Sequence, residues 1–143
     1  MQRFHFALAK VLDFRRRQLE LEEAKFEALH SERRALESES SRLEWEALQT
    51  RQSLMVTGSA ESQDLVAADL YLRHLSAEKR RHTSRVAEWQ ARSSKQQEAV
   101  VEARRRVRLF EKLEERQLRD WKAAADREQE NLASELYLAR WKR

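Results

Sequence analysis

Val56-Thr57-Gly58-Ser59-Ala60-Glu61-Ser62 is the stretch that decides the fold. It holds the single glycine of a 143-residue chain that has no proline. Glycine reaches positive φ at little cost and so commonly follows a helix C-terminus, while proline is the usual interior breaker. The chain therefore has one easy place for a helix to stop. Ser59 or Ser62 is placed to cap the next helix, with Glu61 and Asp64 complementing the positive end of its dipole. The spacing predicts helix 1 over residues 4–56, a turn over 57–61 and helix 2 over 62–141, one unit across 1–143. That is an all-α, long two-helix antiparallel coiled-coil hairpin with a longer C-terminal helix.

Composition points the same way. Charged residues make up 38% and hydrophobic residues 41%, which favours a narrow apolar seam over a thick globular core. With no cysteine there is no disulfide framework and no thiolate metal site, as suits a cytosolic protein. No apolar run approaches the roughly 18 residues that span a bilayer. The start Met1-Gln2-Arg3-Phe4-His5-Phe6 lacks a secretory h-region. A cytoplasmic protein that docks on something in the membrane is expected.

Working outward from the turn, positions 8, 12, 15, 19, 22, 26, 29, 33, 36, 40, 43, 47, 50 and 54 step by alternating four and three, and nine of these fourteen are apolar. Arg15, Glu22, Arg33, Ser40 and Thr50 interrupt the stripe; they weaken packing while fixing register against a specific facing helix. The second tract repeats the pattern from Leu65 to Phe110, with Lys79, His82, Ser93 and Gln96 as its polar positions. Beyond Phe110 the phase slips by about one position, which marks a change of supercoil or partner. The stripe resumes at Leu113, Leu118, Trp121, Ala125, Leu132, Leu136 and Ala139.

Folding the chain about Gly58 sets Phe4 opposite Lys112, so helix 2 is expected to be unpaired from about residue 113. At 1.5 Å per residue the paired part would be roughly 80 Å long, with a further ~45 Å beyond it. A helix bearing Leu118, Trp121, Leu132 and Leu136 then needs another protein to cover it, the alternatives being a crooked hairpin, a frayed tail or a homodimer.

Enzyme chemistry has little to stand on. One glycine cannot build a phosphate-cradling loop, so neither a P-loop nor a dinucleotide fingerprint fits. No pair of carboxylates stands out for acid/base work. His74, Glu78 and His82 share a helical face at metal-ligand spacing, but a two-helix rod gives them no walled site. No catalytic residue, cofactor or metal is expected. Between Lys79 and Arg108 lie ten Lys/Arg against three acids, a field that suits an acidic protein surface, nucleic acid or plain solvation. The zipper-borne basic helix that reads DNA is parallel, whereas this basic run sits within an antiparallel seam, which argues against nucleic acid. Trp89 and Phe110 fall on the seam as core, Tyr71 falls beside it, and Trp45 and Trp141 are expected outside.

Phe4-His5-Phe6-Ala7-Leu8 at the start, Glu111-Lys112-Leu113-Glu114-Glu115-Arg116 later and the stretch from Glu128 to Leu136 near the end together resemble the flagellar FliJ family, the stalk component of the flagellar type III export apparatus. Phe4-His5-Phe6-Ala7-Leu8-Ala9-Lys10-Val11-Leu12-Asp13-Phe14-Arg15 resembles the family's F-x-F-x-L-x-x-V-L-x-x-R opening. Glu111-Lys112-Leu113-Glu114-Glu115-Arg116 resembles its E-K-L-x-x-R segment. The stretch from Glu128 to Leu136 is similar to its closing L-D-E-x-A, with Ser134 where aspartate is usual. The resemblance implies a non-enzymatic antiparallel stalk, monomeric when free, whose terminal end sits in the ring of the hexameric export ATPase and whose hairpin end reaches the membrane export gate. It further implies contact with the ATPase regulator and with export chaperones, at the inner face of the cell membrane at the flagellar base. For the ATPase end the residues are Leu113, Arg116, Leu118, Arg119, Trp121, Lys122, Leu132 and Leu136; for the gate end they are Tyr71, Leu75 and His82. The family's first-arm tyrosines are replaced by Gln49 and Ser53. A virulence secretion stalk, a nucleic-acid-binding coiled coil and a dimerising scaffold stay open as alternatives at this point.

Overall fold

The computed structural model describes residues 3–56 and 61–141; the turn at Gly58, with Thr57, Ser59 and Ala60, lies outside the described residues. Two helices account for nearly all the rest: α1, Ala9–Val56, of 48 residues, and α2, Ser62–Trp141, of 80 residues. No strand occurs among the described residues. The fold class is an all-α helical hairpin.

Two compact units make up the chain: a turn-side unit, Glu22–Ala99, and a terminal unit combining Met1–Leu21 with Val100–Arg143. In each, a segment of α1 packs against a segment of α2. In the turn-side unit Leu43 and Leu75 are buried, as is His82, and half-buried Leu29, Leu36, Leu72, Val86 and Trp89 extend the seam. Lys79 and Arg33 are the seam positions that swing out to solvent there, together with Leu65 next to the turn. In the terminal unit Phe6, Leu12 and Val107 form the buried core, with Phe4, Leu8, Ala9, Leu19, Phe110 and Leu113 packed against it. Burying one such side chain contributes about 1.5–3 kcal/mol. A seam this thin therefore leans on many modest layers.

Three expectations change. First, α1 begins at Ala9 and not at residue 4, because the Phe6 carbonyl accepts the Ala9 N–H at 3.1 Å in a turn that leads into the helix. Second, Ser62 is not the cap of α2 but already its first helical residue, preceded by Glu61, whose carbonyl accepts from Asp64 at 3.0 Å and Leu65 at 3.2 Å; Ser59 lies outside the described residues. Third, pairing does not stop at 113. Phe4 lies 6.0 Å, ring to ring, from Trp121, and half-buried positions continue through Leu118, Trp121 and Ala125.

The first change accounts for about half of the third. Non-helical chain advances about 3.3 Å per residue against 1.5 Å in a helix, so four residues ahead of α1 gain up to about 7 Å, the length of roughly five helical residues. That carries Phe4 from the neighbourhood of Lys112 towards Trp121. Along α2 the covered positions are 107, 110, 111, 113, 114, 118, 121 and 125, widening around 110–114 where the stripe slips phase. Residues 126–141 are all exposed.

Candidate functional site

The turn-side unit carries a ladder of polar side chains across its seam. Gln96 donates to the Glu22 carbonyl at 2.9 Å, Trp89 Nε1 to the Leu29 carbonyl at 2.8 Å, and His82 Nε2 meets the Leu36 carbonyl at 2.7 Å. A carbonyl oxygen only accepts, so His82 holds its proton on Nε2. Both series step by seven residues, and each pair of numbers adds to 118, so one antiparallel register holds across all three layers. Beside the ladder, Arg92 pairs with Glu32 and Arg85 with Glu39, again seven apart on both helices. The Arg33 guanidinium lies 6.0 Å from the Trp89 ring, covering it from outside while its Nε bonds Glu37 at 2.8 Å.

These contacts set the local electrostatics. The carboxyl of Glu22 is held below its ordinary value first by Gln96 and then by Lys25. Those of Glu32 and Glu39 are lowered chiefly by the hydrogen bonds from Arg92 and Arg85. At the next layer towards the turn the pattern changes. Glu46 takes a hydrogen bond from the Tyr71 hydroxyl at 3.1 Å and an ion pair from Arg42 at 3.2 Å. That bond from the phenol to Glu46 raises the Tyr71 pKa.

Of the three residues expected at the gate end, Tyr71 is exposed, next to His74 at 6.4 Å between rings. Leu75 and His82 are buried in the seam, because their column on α2 is the one that faces α1. The structure does not bring the three together as a surface. Nor does it gather His74, Glu78 and His82: Glu78 pairs with Arg81, and His82 is turned to Leu36. Trp45 stands 61% exposed on α1, with Leu48 and Met55 also outside.

The terminal unit divides the ATPase-end residues into two sets. Leu113, Leu118 and Trp121 are half-buried, Leu113 against the Phe6 core and Trp121 against Phe4. Arg116, Arg119, Lys122, Leu132 and Leu136 are exposed. Around Leu132 and Leu136 the end of α2 also presents Tyr137, Leu138 and Trp141, with Tyr137 and Trp141 6.3 Å apart. Sequence reading missed Tyr137 and Leu138, although their i, i+4 relation to Ala133, Ser134 and Trp141 was there to be seen. It also missed the partnership of Phe4 with Trp121, which no helical periodicity encodes.

The class these features define is a coiled-coil hairpin with a polar ladder across its seam and an exposed apolar stretch at the end of α2. The chain matches the family model described as Flagellar FliJ protein over residues 4–143, and it belongs to that family. The family is a structural component of flagellar type III export with a stalk role. No curated protein and no solved structure matches the chain. No helix among the described residues is long and apolar enough to cross a membrane.

Proposed function

We propose that this chain is the non-enzymatic stalk that links the hexameric flagellar export ATPase to the membrane export gate, at the inner face of the cell membrane. The ATPase end is the α2 segment from Leu113 onward. Arg116, Arg119 and Lys122 flank it, and Leu132 and Leu136 make its free apolar part. The gate end is the α2 segment that carries Tyr71, Leu75 and His82, with Tyr71 exposed and Leu75 and His82 buried against α1. The ATPase regulator and the export chaperones are its further partners.

One observation carries the reading: Leu132, Leu136 and Trp141 are 54%, 71% and 77% exposed on the part of α2 beyond Ala125, where every described residue is exposed. Apolar side chains clustered in this way on a soluble surface mark a binding site. The half-buried Leu118 and Trp121 contribute to the fold as well, so Leu132→Ser with Leu136→Ser is the cleaner test. Tagged protein bearing both changes should lose co-purification of the export ATPase from cell extract, with far-ultraviolet circular dichroism unchanged. Undiminished recovery of the ATPase overturns the assignment of this end.

A further inference from the structure

On α2 in the terminal unit, five cations stand on one line. At 100° per residue, Arg105, Arg108, Lys112, Arg116 and Arg119 fall within about 80° of one another, on the side of the helix opposite the seam positions Val107, Phe110 and Leu118. All five are exposed, and none makes an ion pair or hydrogen bond among the described residues. Five other arginines of the same helix are matched: Arg73 with Asp69, Arg81 with Glu78, Arg85 with Glu39, Arg92 with Glu32 and Arg106 with Glu102.

The matched pairs show what the unmatched line fits. In the turn-side unit, arginines seven apart on one helix receive glutamates seven apart on a facing helix. Arg105, Lys112 and Arg119 repeat that seven-residue spacing over about 21 Å, with Arg108 and Arg116 between them. The same face exposes Val101 and Leu109, 58% and 62%, which offer apolar contact to a partner side chain and nothing to a phosphate backbone. It holds no aromatic ring on which a base could stack.

We propose that this outward face of α2 is a docking strip for an acidic amphipathic helix of a partner protein, one that carries carboxylates at heptad spacing alongside apolar residues. Four of the five cations are arginines, whose planar forks take carboxylates in two-point contact. The strip shares Arg116 and Arg119 with the proposed ATPase end. Its core, Arg105, Arg108 and Lys112, is not part of that end.

The test uses the full chain and a fluorescent synthetic helical peptide of three heptads with glutamate and leucine in the matching pattern. Alongside it run a scrambled peptide of identical composition, a short DNA duplex, and phosphatidylglycerol vesicles. The patterned peptide should bind in preference to all three controls. Arg105→Glu with Arg108→Glu and Lys112→Glu should weaken its binding at least about tenfold, about 1.4 kcal/mol, and a lysine-for-glutamate peptide should then bind the reversed chain. Arg105→Gln with Lys112→Gln, which adds no repulsion, should lose binding in the same direction while circular dichroism stays unchanged. The proposal is overturned if the patterned peptide fails to bind or binds no better than the scrambled one. It is equally overturned if DNA or vesicles bind more tightly, if the substituted chains bind as before, or if light scattering shows the strip holding two copies together.

Discussion

Trp89 donates its indole N–H to the carbonyl oxygen of Leu29 at 2.8 Å, across the seam from one helix to the other. The Leu29 carbonyl is inside a helix and already accepts from its own fourth neighbour, so the indole uses its second lone pair. Such a contact tolerates no sliding: shifting α1 by one residue moves the acceptor about 1.5 Å along the axis and 100° around it. Gln96 and His82 repeat the arrangement one heptad to either side. A seam with few large apolar residues thereby gains a definite register from polar ones.

Removing one rung should cost little helix and some stability. Trp89→Phe keeps an aromatic ring and deletes the donor, and His82→Leu replaces the imidazole with an apolar side chain. Each should lower the free energy of unfolding by about 0.5–1.5 kcal/mol, the net worth of a hydrogen bond. Because the rungs lie about 10 Å apart, the double substitution should be close to additive. Urea titration followed by circular dichroism measures all three values. A double variant no weaker than either single one would show that the ladder does not hold the register.

Arg15 marks the opposite situation in the terminal unit. It occupies a seam position, half-buried, with its Nη1 bonded to Gln18 at 3.0 Å and its Nε buried without a hydrogen-bond partner. An unsatisfied buried donor costs about 1–3 kcal/mol. Arg15→Leu should therefore raise the thermal midpoint, by several degrees for an effect of about 1 kcal/mol. A lowered midpoint would mean that the arginine stabilises the seam through its stem and its 5.9 Å approach to the Phe14 ring.

The seam itself was legible from the sequence because heptad spacing is a one-dimensional property. Of the fourteen α1 positions picked by it, only Arg33 is exposed, and of the fourteen on α2 only Leu65 and Lys79 are. What spacing could not convey was anything dependent on departure from the helix. Phe4 reaches Trp121 in part because the chain ahead of Ala9 is not helical, and a symmetric fold about Gly58 misplaced it opposite Lys112. The resemblance names Leu75 and His82 as gate-end residues and says nothing of orientation, whereas the heptad spacing puts both on the seam, where they are buried. The same periodicity that put them on the seam was the better guide to where they face.

Carboxylates in the turn-side unit predict a response to acid. Glu22, Glu32 and Glu39 have folded-state values below the ordinary 4.5. A lowered value means that the folded chain favours the charged form, so the contribution is present above pH 4.5 and is lost as pH falls from there through the depressed values. The urea midpoint should drop across that window. In Glu32→Gln with Glu39→Gln the drop should be shallower, since Arg92 and Arg85 then lose their charged partners at every pH. An equally steep drop in the substituted chain would place the acid response elsewhere. These pairs are exposed and screened, so added salt should narrow the difference between the two chains.

Phe4 closes the terminal unit over Trp121, and its removal should be readable through that ring. In Phe4→Ala the tilted 6.0 Å ring contact is gone while α1, which begins five residues later, is intact. Trp121 would then face water on the side that Phe4 had covered. The chain has four tryptophans, of which Trp45 and Trp141 are already outside and Trp89 lies in the other unit. Any increase in fluorescence quenching by acrylamide on Phe4→Ala should therefore come from Trp121, and it should vanish when Trp121→Phe is added. Helix content should stay within a few residues of the unsubstituted chain. No change in quenching would show that the segment ahead of Ala9 does not cover Trp121 in solution, and α2 would then be open from nearer to Leu113.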